Sequence, residues 1–114
     1  MSYVHGAVIP VPTAHRDTYI EKSNAMAAIF RDHGALKVVD CWGDQVPPGK
    51  LTSFPKAVDC GEDETVVFSW MVWPSKEAAD AGMQKAMQDD RMSADMPFDA
   101  KRMIFGGFEM VVDV

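Results

Sequence analysis

The spacing of apolar and polar residues divides the chain into four strand-like and two helix-like stretches. Thr65 to Trp73, Thr-Val-Val-Phe-Ser-Trp-Met-Val-Trp, is the most apolar of them, carries no charge and stops at Pro74-Ser75. Its length and its β-branched and aromatic content predict a fully buried strand, and it is far shorter than the roughly twenty residues needed to cross a bilayer. Tyr3 to Val11 is apolar on both alternating faces and predicts a first strand, closed by Pro10 and Pro12, which cannot continue a ladder. Ala35 to Gly43 predicts a strand with one charge on each face, Lys37 and Asp40. Met103 to Val112 predicts the last strand, with Gly106-Gly107 marking a bulge or bend.

Between these runs the period lengthens. After Thr13, a candidate helix cap, Tyr19, Met26 and Phe30 form an apolar stripe flanked by Ile20 and Ala27, and His33-Gly34 stops the helix. Ser75 caps a second helix with Glu77 in its first turn and Ala79, Met83, Ala86 and Met87 on one face. Gly82 inside that helix points to close packing on the sheet. Asp90 to Met96 predicts one more short helical turn before Pro97. Asp44 to Asp63 is a long connection, of a length that is functional or partly structured in compact domains, and Phe54 is the residue expected to pin it down.

The order βαββαβ predicts an α+β, ferredoxin-like single domain over residues 1–114 with a four-stranded antiparallel sheet. Right-handed crossovers place the first and third strands at the centre. Those two carry no charge, whereas Lys37, Asp40, Glu109 and Asp113 lie in or beside the second and fourth, as protected edges require. Both helices of such a unit cover one sheet face, yet Val66, Phe68, Trp70 and Val72 make the third strand as apolar on one side as Val67, Met71 and Trp73 make it on the other. A second copy covering the open face predicts a homodimer of two sheets packed about 10 Å apart.

Composition narrows the partners. Eleven Lys and Arg against 17 Asp and Glu give a net charge of −6. The field around the chain repels phosphate backbones and anionic lipid, so neither nucleic acid nor membrane is expected as a partner. Ribonucleic-acid-binding domains of the same βαββαβ order carry basic residues and glycines in the third strand, and Thr65 to Trp73 has neither. The amino terminus lacks the basic region and apolar run of a secretory signal, which predicts a cytoplasmic protein with Cys41 and Cys60 as free thiols. Three histidines without ligand spacing predict no metal site, and no cofactor is expected.

Several stretches together resemble the YbaA-like family of small bacterial proteins, a domain of unknown function in the dimeric α+β barrel superfamily. They include Val8-Ile9-Pro10-Val11-Pro12, Cys41-Trp42-Gly43-Asp44, Phe54-Pro55, Glu62-Asp63-Glu64-Thr65-Val66-Val67-Phe68-Ser69-Trp70, Val72-Trp73-Pro74-Ser75-Lys76, Met96-Pro97-Phe98-Asp99, Lys101-Arg102-Met103 and Gly106-Gly107-Phe108-Glu109. Departures are Asp40, Gln45, Asp90 and Ala100, the last of which stiffens the turn before the final strand. The resemblance implies a βαββαβ homodimer and brings no assigned activity with it.

Each candidate site residue has a chemical and a structural reading. His5, beside Tyr3 on one strand face, is either a general base or a core imidazole. Cys41 and Trp42 end the second strand where a pocket mouth can lie, and Cys41 is either a nucleophile or edge packing. Asp99 and Arg102 either clamp an anionic substrate or pair with each other. Trp70 and Trp73, with Trp42, form either an aromatic pocket or core and dimer interface. The functional expectation is a homodimer that binds or converts a small molecule between sheet and helices, with His5 and Arg102 as catalytic candidates. Tyr3, Cys41, Trp42, Trp70, Trp73 and Asp99 would be its ligand contacts. The alternative is a non-catalytic stress or interaction module whose sheet serves only dimerisation.

Overall fold

The computed structural model describes residues 2–114. Strand β1 (Tyr3–Pro12) leads through a 3-10 turn (Thr13–His15) into helix α1 (Arg16–Asp32), followed by β2 (Lys37–Trp42), a one-turn helix α2 (Phe54–Ala57), β3 (Glu64–Trp73), α3 (Lys76–Met87) and β4 (Ile104–Glu109). The strands form one sheet in the order β2-β3-β1-β4 with every neighbouring pair antiparallel. The order of elements resembles a ferredoxin-like fold, with the two uncharged runs in the middle.

Pleating sends alternate residues to opposite faces. Odd-numbered positions of β1 and β3 face the helices. There Ile29, Phe30, Ala35, Trp73, Ala79 and Ala86 form one buried cluster, and Ile9, Val11, Tyr19 and Val67 form another. Trp73 is wholly buried, and its indole lies against the backbone of α3 at Gly82. A Cβ at Gly82 would collide with that ring and fall 2.7 Å from the His33 carbonyl oxygen, so the helix sits this close because the residue has no side chain.

Neither α1 nor α3 lies over the even-numbered positions. Their far end is covered by the connection between β2 and β3. Pro10 and Val66 are buried there, Val58 of the connection is 2% exposed, and Phe54 packs edge-on against Phe68. Val58 is therefore the buried anchor of the long connection, and Phe54 stays half-exposed. Ser53 Oγ caps α2 by accepting from Lys56 N at 3.1 Å.

Local expectations meet the structure unevenly. Ser75 Oγ accepts from Ala78 N and caps α3, and Gly34, at φ +111°, follows the end of α1 in the conformation that glycine adopts without strain. Thr13 does not cap α1: it opens the 3-10 turn and its hydroxyl pairs with that of Thr65 at 2.7 Å. The buried residues of α1 are Tyr19, Ile29 and Phe30, while Ile20 is exposed, and in α3 Met87 is half-exposed with Gly82 in the buried stripe. Asp90 to Met96 forms turns, not helix. The last strand ends at Glu109, and Gly106 and Gly107 lie in unbroken register with Gly6 and His5, so they make no bulge. Instead they leave room for large neighbours: Phe108 folds over Gly106, and Tyr3 lies over Gly107.

Candidate functional site

His5 and Trp73 sit on the helix-covered face of adjacent central strands, two residues out of register. Trp73 Nε1–H donates to His5 Nδ1 at 3.1 Å, which leaves the imidazole proton on Nε2 while the ring is neutral. Burial pulls the His5 pKa below its ordinary value, against a smaller opposing pull from Asp80. Tyr3 meets the His5 ring edge-on at 5.7 Å. Tyr3, His5 and Trp73 are thus brought together as a packed aromatic row.

Arg102 is elsewhere. Its guanidinium forks onto Glu64, with Nη1 and Nη2 each donating at 2.7 Å to one carboxylate oxygen. It also donates to Asp99 Oδ2 at 3.1 Å and to the Asp59 carbonyl at 2.7 Å. Glu64 Oε1 accepts a further bond from Gly61 N, and these partners hold the Glu64 carboxyl below its usual range. The lysine-like point charge could not fill this role, because the planar fork matches the carboxylate in two places. Glu64 faces Pro12 on β1, seven residues along the ladder from His5, or roughly 23 Å at strand spacing. The structure therefore does not bring the two catalytic candidates to one site. Asp99 has both oxygens engaged, by Arg102 and by Lys101 N. These groups latch the turn before β3 to the turn before β4.

Two hollows stand out on the surface. One, of about 60 Å³, lies between α1 and the turns after α3, beside Lys22, Met26, Arg91 and Asp95. Lys22 Nζ donates across it to the Asp95 carbonyl at 2.7 Å. The other, of about 280 Å³, runs along the end of β2 and onto the open sheet face, with walls from Cys41, Trp42, Asp44, Phe54, Val66 and Phe68. Cys41 and Trp42 contribute to it from opposite faces of β2. Trp42 turns toward α1, where Tyr19 packs against it at 6.3 Å and the Arg16 guanidinium lies over its ring at 5.6 Å. Trp70 projects from the open face beside Phe68, their rings 5.6 Å apart.

Groups that the spacing of residues could not single out include Tyr19, buried against β2, whose phenol is pushed above its ordinary pKa by burial and by the Asp40 charge. Ser23 Oγ donates to the same carboxylate. At the other end of α1, Asp89 accepts two bonds from the Arg91 guanidinium and one from His33 Nε2 at 2.8 Å, while Arg91 also reaches Asp32. Among the described residues no three His, Cys, Asp or Glu side chains gather closely enough to hold a metal ion. No helix of the described chain is long and apolar enough to cross a membrane.

The family described as "Protein of unknown function (DUF1428)" matches residues 2–100. The chain belongs to this family. Similar DUF1428 relatives include the proteins called "Uncharacterized protein YbaA" from Escherichia coli strain K12, from Escherichia coli O157:H7 and from Shigella flexneri. Each is 50% identical over 116 aligned residues, covering 99% of this chain and 99% of the relative. The DUF1428 match spans the packed aromatic row and the walls of the larger groove, and it stops at residue 100, short of Arg102 and β4.

Proposed function

We propose that the protein is a homodimer that binds a small molecule in the groove at the end of β2. The observation that carries this reading is Phe68, whose half-exposed ring is at once a wall of the groove and part of the sheet face that α1 and α3 leave open. A face so apolar is covered by a second subunit in a soluble assembly, and that subunit deepens a groove which is open in one copy. The lining is aromatic and aliphatic with Asp44 as its one formal charge, which suits a neutral or cationic ligand with an apolar body. The layer between sheet and helices gives less room, since Val11, Val67, Trp73, Ala79 and Ala86 have no exposed surface.

Cys41 lines the groove and is exposed, which supplies a local probe. Small molecules that raise the melting temperature in a metabolite and fragment panel are expected to slow alkylation of Cys41 by iodoacetamide, with little effect on Cys60. Stabilising ligands that leave Cys41 labelling unchanged would move the site away from the groove.

A second reading, a non-catalytic interaction module, is favoured by one observation. Arg102 and Asp99 spend their polar groups on each other, on Glu64 and on backbone, so neither offers a free charge to a substrate. A dimer that no member of the panel stabilises would select this reading.

A further inference from the structure

Trp73 is a wedge where three elements meet. Its indole fills the place that a side chain on Gly82 of α3 would take, and a Cβ on Gly34, just past the end of α1, would come within 3.7 Å of the same ring. The residue has no exposed surface. Its side chain has one polar group, the indole N–H, and that group can only donate. The acceptor is His5 Nδ1 at 3.1 Å. Helix α3 is thus seated on a ring whose orientation one imidazole nitrogen secures.

The bond has a strict protonation requirement. Nδ1 accepts only while it is bare, so the neutral imidazole carries its proton on Nε2. A second proton must go to Nδ1, and the resulting imidazolium has two donors and no acceptor. The Trp73 N–H then loses its partner, at a site closed to the water that could replace it.

Few charges surround His5. β1 contributes the Tyr3 phenol, edge-on at 5.7 Å. β3 contributes Met71 opposite and Trp73 on the diagonal, and β4 contributes Gly107 opposite with Glu109 two residues on. α3 contributes Asp80, whose charge favours the imidazolium, while burial opposes it more strongly and holds the His5 pKa below its ordinary value of 6.5. Asp80 lies two residues from Gly82, on the helix that rests on the indole. The neutral ring therefore has its partner in the sheet, and the charged ring has one on the helix.

We propose that His5 is a proton-operated catch for α3: neutral, it holds the Trp73 indole in place beneath Gly82, and protonated, it turns from Trp73 toward Asp80 and loosens the helix from the sheet. The folded ring takes its proton less readily than the unfolded chain does. The stability that the catch contributes is therefore fully present above pH 6.5 and is lost as pH falls from there through the lower, folded pKa. That loss starts while the Glu64 carboxyl is still fully charged.

Imidazole and indole nitrogen resonances of isotope-labelled protein, followed from pH 8 to pH 5, test the catch. At pH 8 the His5 ring is expected to show a bare Nδ1 and a protonated Nε2, and the opposite tautomer overturns the proposal without recourse to any variant. On acidification the Trp73 indole resonance is expected to move with the His5 titration. Hydrogen-exchange protection of the α3 amides should fall by ~10-fold, the scale of one orphaned buried donor. His5→Asn supplies an amide oxygen as acceptor in place of Nδ1 and does not titrate, so α3 protection in it should change by less than ~2-fold over the same range. Asp80→Asn should shift the response to lower pH, because it removes the charge that favours the imidazolium. His33→Gln, which removes the imidazole bonded to Asp89, should leave the response in place. A Trp73 resonance that does not move overturns the catch. So does an α3 response that persists in His5→Asn, ignores Asp80→Asn or vanishes in His33→Gln.

Discussion

The two faces of one sheet are built from neighbouring residues of the same strands, yet they solve different problems. On the covered face Trp73 fits against a helix backbone stripped of its side chain at Gly82 and gives its N–H to His5. On the open face Trp70 has an aromatic neighbour on one side and two glycines on the other, with no helix above it. Three residues apart, the two indoles show that apolarity alone does not mark a core. What distinguishes them is whether the surroundings of the ring are complete within one chain.

The largest expected effect breaks the covered face. Trp73→Ala should lower unfolding free energy by about 3–5 kcal/mol in a urea titration, since a filled site is emptied and His5 loses its donor. Trp70→Ala, measured at concentrations where one subunit stands alone, should cost about 1 kcal/mol. Equal losses would abolish the contrast between the faces. Next, Gly82→Val should destabilise by about 1–3 kcal/mol through collision with Trp73 and the His33 carbonyl. Gly106→Ala, whose new methyl group meets only the Phe108 ring at an ordinary distance, should be neutral or stabilising by up to about 1 kcal/mol in the isolated subunit. Helix caps sharpen the comparison at smaller scale. Ser75→Ala, capping α3 over the covered face, should cost about 1 kcal/mol, and Ser53→Ala, capping the single turn of α2, only a few tenths.

The latch at the end of the sheet belongs to neither face and adds a dependence on pH. The Glu64 carboxyl is held below its ordinary value of 4.5 in the fold, chiefly by the Arg102 hydrogen bonds. Its contribution is therefore fully present above that value and is lost as pH falls through the lower, folded pKa. Glu64→Gln should melt below the wild type at pH 7, and the gap between their melting curves should close toward pH 3. A gap that persists in acid would mean that the fork stabilises through shape and not charge.

Much of the sheet was legible because its signals are local. Charge-free runs became central strands, charged runs became edges, and Ser75 capped the helix it precedes. The phase of α1 was harder to read, since Tyr19 to Phe30 contains apolar residues on several sides and only packing selects Ile29 over Ile20. Gly106-Gly107 looked like an interruption because glycine has no side chain to announce what fills the space, and Phe108 and Tyr3 fill it from elsewhere. The sites were least legible. Arg102 and Glu64 are 38 residues apart, and no spacing rule links them. Asp99, three residues from Arg102, was visible as its neighbour, whereas the carboxylate that takes the full fork was not.

The three tryptophans also divide the molecule spectroscopically. Trp73 is sealed in a dry core beside an imidazole, Trp42 lies at a groove wall under a guanidinium, and Trp70 stands on the exposed sheet. Emission from Trp73 reports whether a subunit is folded, emission from Trp42 reports what enters the groove, and quenching of Trp70 by acrylamide reports whether anything covers the sheet. Single-tryptophan variants would thus let one polypeptide signal folding, occupancy and association in three separable optical channels, with no added label.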